Sequence, residues 1–367
     1  MIYIHIPFCK SRCLYCDFFS STSSELKDDF VRALLKEIEG RAEELRLSRA
    51  NTIYIGGGTP SQMHAKHLTE IFDAVQRVTP LQSDAEVTIE CNPDDITPEF
   101  VASLKSMPVN RISMGVQTFD DGLLRLLRRR HTSAQAHRAV SMLREAGYEN
   151  ISLDLMYGLP GQTMEMWKRD VDEIMSLQVP HLSAYSLQWE EGTPLYHMLE
   201  RGEVAEASDE VSRGMYEYIV RATAMHSMEH YEVSNFALPG MRAQHNSGYW
   251  RDEPYVGLGP GAHSYDGANV RSSNPSDLKG YIMSAGMPER EVEVLDEDCL
   301  YEEKVLKGLR TIDGLDLSAL KPRYREYAMK MAEPHIKSGR MMQCGDVLRL
   351  TEDGIFVSND IMSDMML

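Results

Sequence analysis

Short apolar, β-branched segments alternate with amphipathic ones from the first residues of this 367-residue chain, and that alternation leaves few folds open. Residues 2–6, 52–55, 86–90, 111–116, 151–156 and 181–187 read as strands, each near-continuously apolar as in a buried parallel sheet. Between them apolar residues recur at helical spacing, as Phe30, Leu34 and Ile38 do in a helix expected over about 25–47. Thr22 with Glu25 forms a capping-box pattern before that helix; Thr97-Pro98 and the pair Thr132 and Gln135 mark the starts of two more. The expected class is α/β: an incomplete (β/α)6 barrel, with an open doubly wound sheet as the alternative that periodicity leaves standing. Either fold puts reactive groups at the C-terminal ends of its strands.

The β-α period fades after about residue 187. A long helix over roughly 208–228 is followed by a Gly/Pro-rich stretch, 257–267, expected to pack over the open end or to join domains. From about residue 296 come short amphipathic helices and a hairpin-like pair, 340–343 and 347–350, around Cys344-Gly345-Asp346. The chain thus divides into a barrel (1–235), a connecting segment (236–295) and a smaller, mostly helical, winged-helix-like C-terminal domain with a β wing (296–367).

Charge narrows the partners. Lys and Arg total 38 against 56 Asp and Glu, a net charge of −18, which disfavours nonspecific binding to nucleic acid or anionic lipid. Arg125, Arg128, Arg129 and Arg130 therefore read as an anion-binding corner. No apolar run approaches the roughly 18 residues of a membrane span. The N-terminus meets His5, Pro7 and Cys9 before a signal-peptide core could form. A cytoplasmic location is expected, and peripheral contact with a membrane stays compatible with it.

Six cysteines are too few for a secreted disulfide scaffold, and three of them, Cys9, Cys13 and Cys16, form a C-x3-C-x2-C cluster. Thiolates suit zinc or iron–sulfur clusters, and three on one loop leave a coordination position to something else. A closed structural zinc site would need a fourth ligand. His5 is the candidate, but it lies inside the first strand. Isolated Cys91, Cys299 and Cys344 read as small buried hydrophobes. Gly56-Gly57-Gly58-Thr59-Pro60 follows a strand but lacks the Lys-Ser/Thr of a P-loop, and Ser61 stands where a dinucleotide fingerprint has its third glycine.

Tyr-Ile-His-Ile-Pro-Phe-Cys-x3-Cys-x-Tyr-Cys resembles the opening of radical S-adenosylmethionine (SAM) enzymes, specifically the oxygen-independent coproporphyrinogen III oxidase group with its HemW-type haem chaperones. The resemblance runs from Tyr3 through His-Asn-Ser-Gly-Tyr-Trp at 245–250 into the C-terminal domain. It implies a [4Fe-4S] cluster on Cys9, Cys13 and Cys16, whose open iron is chelated by SAM. An electron passed through the cluster would then release a 5′-deoxyadenosyl radical. It implies that Gly57, Gly58 and Thr59 contact the methionyl part of SAM. Glu90, Gln117, Arg129 and Asp154 match positions that hold its methionyl and ribose ends, and Met156 and Ala184 match positions near the adenosyl end. Tyr3 matches a SAM-proximal position, and Tyr15 is placed to shield the cluster or stack on adenine.

Within that group, the oxidases carry a further cysteine where this chain has Phe18, and they extend upstream of the first strand, whereas this chain begins two residues before Tyr3. Both departures, with His245, Asn246, Tyr249 and Trp250, favour the HemW-type pattern. The implied function is haem chaperoning: haem or porphyrin as cargo, a haem-accepting respiratory protein as recipient, and an electron donor for the cluster. His245 is the candidate axial ligand, with His263 as rival, and the 23 methionines offer adaptable apolar packing. Coproporphyrinogen oxidation is the alternative, and tRNA modification the third.

Overall fold

A computed structural model describes residues 1–48 and 50–367. Six parallel strands lie side by side in chain order: β1 (Ile2–Ile6), β2 (Thr52–Gly57), β3 (Glu86–Cys91), β4 (Arg111–Gln117), β5 (Ile151–Tyr157) and β6 (His181–Ser186). A doubly wound sheet would reverse its strand order, so this is the incomplete (β/α)6 barrel.

The strands are not continuously apolar, as the sequence reading expected; they alternate. Ile2, Ile4 and Ile6, Ile53 and Ile55, Val87 and Ile89, and Leu153 and Leu155 all belong to the main apolar core. Residues of the opposite parity, among them Tyr54, Glu90, Arg111, Ser113, Asp154 and Ser183, line a hollow in the barrel. Successive side chains of a strand point to opposite faces, so one parity packs against helices and the other makes a polar interior. Each fully buried aliphatic side chain of the outer parity contributes about 1.5–3 kcal/mol, so the core can tolerate that interior.

The first helix breaks in two, Lys27–Gly40 and Ala42–Leu47. Arg41 sits at the break because its guanidinium turns inward, donating to Glu37 (3.1 Å), the Gly257 carbonyl (2.6 Å) and Ser264 Oγ (3.0 Å). The capping box expected at Thr22 and Glu25 does not form; a 3-10 turn, Ser24–Leu26, leads into the helix without a side-chain cap. Thr97 and Thr132 do cap their helices, the latter with a full capping box to Gln135.

Three short strands extend the sheet. β7 (Glu229–Glu232) and β8 (Asn235–Ala237) run antiparallel beyond β6, and β9 (Val256–Leu258) pairs parallel with β1. The Gly/Pro-rich stretch is thus part of the sheet. A Cβ at Gly257 would collide with the His263 carbonyl, so glycine is required for this close approach. β10 (His263–Tyr265), β11 (Val270–Ser273) and β12 (Glu291–Val294) form a small antiparallel sheet. The C-terminal part has its own apolar core, including Tyr301, Val305, Leu348 and Ile361. Its wing comprises β13 (Leu315–Asp316), β14 (Met341–Cys344) and β15 (Val347–Leu350). No helix among the described residues is long and apolar enough to cross a membrane.

Candidate cofactor-binding site

Pro7 turns the chain out of β1 into a loop closed at its base, where Cys9 N–H donates to the Ser21 carbonyl (3.0 Å) and Ser21 N–H to the Pro7 carbonyl (2.6 Å). Leu14 pins the middle of the loop. It is buried with Leu127, Met156, Leu187 and Leu195, its N–H donates to the Leu127 carbonyl (3.2 Å), and its carbonyl accepts from Leu195 N–H (3.0 Å). These contacts offset the entropy lost in ordering an irregular segment. Cys9, Cys13 and Cys16 are free thiols, half-buried, and all three line one cavity of about 570 Å³.

The glycine run forms the facing wall. Gly57 has φ +106°, where a Cβ would stand 2.5 Å from the His5 ring, and at Gly58 a Cβ would stand 2.7 Å from the Phe8 carbonyl oxygen. Bare backbone lets the end of β2 pass against the cysteine loop, with Gly58 and Thr59 N–H donating to the Ile6 (2.8 Å) and Phe8 (2.7 Å) carbonyls. Thr59 Oγ1 then reaches Cys9 Sγ at 3.5 Å.

Glu90 accepts from the Tyr54 hydroxyl (2.7 Å) and Gly57 N–H (3.1 Å), while burial pushes its carboxyl pKa upward. Burial, with the Glu90 charge nearby, pushes Asp154 up to about 7 despite a hydrogen bond from Ser183 that opposes the shift. Gln117 lines the cavity from a β-bulge with φ +70°, a conformation that costs a non-glycine residue about 1–3 kcal/mol. Arg129 donates to Cys13 Sγ (3.4 Å), Asn92 and the Gly115 carbonyl, and its buried Nε has no partner. Arg130, next to it, is held by Asp94 (2.9 Å) and Asp95 (3.0 Å).

Of the candidate residues, Cys9, Cys13, Cys16, Tyr15, Gly57, Gly58, Thr59, Glu90, Gln117, Arg129, Asp154 and Met156 line this cavity. Three candidates do not. Tyr3 bonds His5 Nδ1 through its hydroxyl (3.1 Å), with its ring 6.2 Å from that of Tyr54, which does reach the cavity. Ala184 has the wrong parity: Ser183 and Tyr185 face the hollow, while Ala184 joins the outer core. His245 is fully committed to the fold, its Nδ1 bonded to Thr52 Oγ1 (2.7 Å) and its Nε2 to the Tyr249 hydroxyl (2.9 Å). Burial first, then the charges of the N-terminus and Arg111, lower its pKa to about 3. To ligate haem, this imidazole would have to give up one of those two bonds and come out of its buried position. The cavity also gathers Tyr54, Asn92, Arg111, Tyr185 and Asn246, none of which the sequence singled out as SAM-binding. The parity rule would have found Tyr54, two residues before Gly56.

The donor set fits an open cluster. His5 cannot complete it, since its nitrogens are bonded to the Tyr3 hydroxyl and the Phe19 carbonyl (2.9 Å). Among the described residues no three His, Cys, Asp or Glu side chains converge on a single ion, as a closed zinc site requires. A cluster gives each thiolate its own iron and needs no such convergence. Burial raises the Cys16 thiol to about 11, so its thiolate form needs a bound cation in place of the proton.

Comparisons with known proteins give the family and the fold. The radical SAM superfamily profile matches residues 3–174. The chain is 40% identical over 315 residues to the heme chaperone HemW of Lactococcus lactis, covering 85% of this chain and 82% of that protein. It is 35% identical over 373 residues to the heme chaperone HemW of Mycobacterium tuberculosis, covering 100% of this chain and 94% of that one. Among solved structures, the coproporphyrinogen III oxidase HemN of Escherichia coli aligns with a TM-score of 0.83 at 22% identity, covering 99% of this chain and 89% of that chain; at that identity it shows a shared fold.

Proposed function

The chain belongs to the HemW-type family of the radical SAM superfamily, a family that implies a [4Fe-4S] cluster and SAM, and from that premise we propose that this protein is a haem chaperone. It holds the cluster on Cys9, Cys13 and Cys16, binds SAM in the barrel cavity, and carries haem in the cytoplasm to a haem-accepting respiratory protein, with a separate electron donor serving the cluster. The observation that carries the cofactor assignment is three free sulfurs from one loop lining one cavity, with no group of His, Cys, Asp or Glu among the described residues closed around a single ion.

When bound, the cluster supplies an open iron and an electron to SAM. The protein does the rest. The Arg129 guanidinium, with its unpartnered Nε, offers a donor to the SAM carboxylate, and Glu90 and Asp154 offer acceptors to its amino and ribose hydroxyl groups. The glycine wall admits the ligand's backbone-like methionyl end without a side chain in the way. The domain division at about residues 235 and 295 belongs to the same proposal, supported by the separate apolar core of the C-terminal part.

The oxidase alternative would use the same cavity. Against it stands Phe18, 63% exposed, where the oxidases have a further cysteine. Against tRNA modification stands the basic run itself, with Arg130 bound to two aspartates and Arg129 in the cavity. Anaerobic protein loaded with cluster and SAM is titrated with haem and, separately, assayed with coproporphyrinogen. The chaperone proposal expects stoichiometric haem binding and no protoporphyrinogen; turnover of coproporphyrinogen would transfer the assignment to the oxidase.

A further inference from the structure

A second cavity, about 510 Å³, adjoins the barrel cavity and shares Tyr185 and Asn246 with it. It lies between the β7–β8 edge of the sheet, the helix Gln244–Trp250 and the first helix of the C-terminal part, Glu297–Leu309. Three polar atoms at this cavity are buried without a hydrogen-bond partner: Arg310 Nε, Trp250 Nε1 and Asn235 Oδ1. Native proteins rarely leave such groups unpaired, and each one costs stability unless a ligand or water meets it.

The charges around the cavity are not equivalent. Arg271 pairs with Glu303, and Lys307 with Asp252 (2.5 Å) and Glu303 (2.9 Å), so these cations are neutralised within the fold. Glu232 takes its hydrogen bonds from Ser234 N–H (3.0 Å) and the Asn235 side chain. Arg310 alone of the cavity's cations makes no close ion pair among the described residues, although its charge reaches Glu232 and opposes the upward shift that burial gives that carboxyl; its guanidinium lies 5.5 Å from the Trp250 ring centroid. A guanidinium fixed over an indole and an adjacent indole N–H make a donor pair suited to a carboxylate. Tyr249, Tyr255 and Tyr265 add aromatic surface for a flat ligand.

We propose that this second cavity is a carboxylate subsite, in which Arg310 and the Trp250 indole N–H hold one propionate of a tetrapyrrole whose ring reaches toward Tyr185. The assignment rests on the haem-cargo reading and deepens it, because it anchors the cargo by a carboxylate and leaves His245 as a structural residue. Contact between cargo and SAM cavity would then run through Tyr185 and Asn246, which line both.

The test titrates cluster-loaded, full-length protein with haem and with haem whose two propionates are methyl esters. Wild-type protein is expected to bind the free acid about tenfold or more tightly than the diester, the scale of a charge-assisted hydrogen bond. Arg310→Ala should erase that preference, Arg310→Lys should keep part of it, and Trp250→Phe should lose a smaller share, with SAM binding unchanged in all three as the check on folding. Equal affinity for acid and diester in wild-type protein, or an undiminished preference in Arg310→Ala, overturns the subsite while leaving the cargo reading in place. Failure of wild-type protein to bind either form overturns both.

Discussion

At the cysteine loop three sulfurs end in a cavity beside an arginine with a buried, unpartnered Nε, and among the described residues no His, Cys, Asp or Glu group closes around a single ion. Around His245 every polar atom of the imidazole is used: Thr52 and Tyr249 take the ring, and Glu86 accepts the backbone N–H of His245 (3.0 Å) and of Gln244 (3.1 Å). Both segments carry ligand-type residues in a recognisable pattern. Their roles separate only when hydrogen bonds are counted, because a group already satisfied inside the fold loses stability if it is pulled away to bind something else. On the proposed function, open valence at the loop marks the cofactor site, and saturation at His245 marks a strut between the helix Gln244–Trp250 and β2.

The sharpest way to break this contrast is Cys13→Ala. Iron in the anaerobically reconstituted protein should fall from about four per chain to near zero. An intact cluster would show that the loop is not the ligand set. Next in size, His245→Ala should destabilise the protein by about 2–4 kcal/mol in urea denaturation, from lost packing and the stranded Thr52 and Tyr249 hydroxyls, with haem affinity changed less than about twofold. A large loss of haem binding at unchanged stability would reinstate His245 as ligand.

Asp154 gives the contrast a pH signature. Its folded pKa is raised to about 7 from 3.8, so its contribution to stability is fully present below about 4 and is lost as the pH rises through about 7. The Asp154→Asn variant should lack that decline, which is at most about 1.4 kcal/mol per pH unit. Identical pH profiles for the two proteins would show that the carboxyl is not held in a desolvated site. His245 has the opposite sign: its folded pKa of about 3 means a contribution present above 6.5 and lost as the pH falls toward 3. Smallest of all, Phe18→Ala should change stability by no more than about 0.5 kcal/mol, since the ring is 63% exposed and meets no core. A larger loss would mean that Phe18 braces the loop.

The six parallel strands were legible in sequence because each is a short run with aliphatic outer positions, β-branched in β1 to β5, and the helix starts at Thr97 and Thr132 because their caps are local. What was not legible depends on partners far along the chain. β9 has three residues and exists through pairing with β1; the break at Arg41 comes from bonds to Gly257 and Ser264. The cysteines and the glycine run stood out because rare residues cluster there, and they do line one cavity. Arg111, Asn92 and Tyr185 did not, because each is ordinary in its own segment and meets the others only across the barrel. The Ala184 methyl group takes the outer parity between cavity-lining Ser183 and Tyr185, since one residue along a strand turns a side chain to the opposite face.

The most direct measurement is electron paramagnetic resonance of the reduced, anaerobically reconstituted protein, with iron and sulfide counted and SAM added. An open cluster on three cysteines predicts about four irons and four sulfides per chain, and a spectrum that changes when SAM takes the vacant iron. A single tightly held zinc, or a cluster spectrum indifferent to SAM, would contradict it.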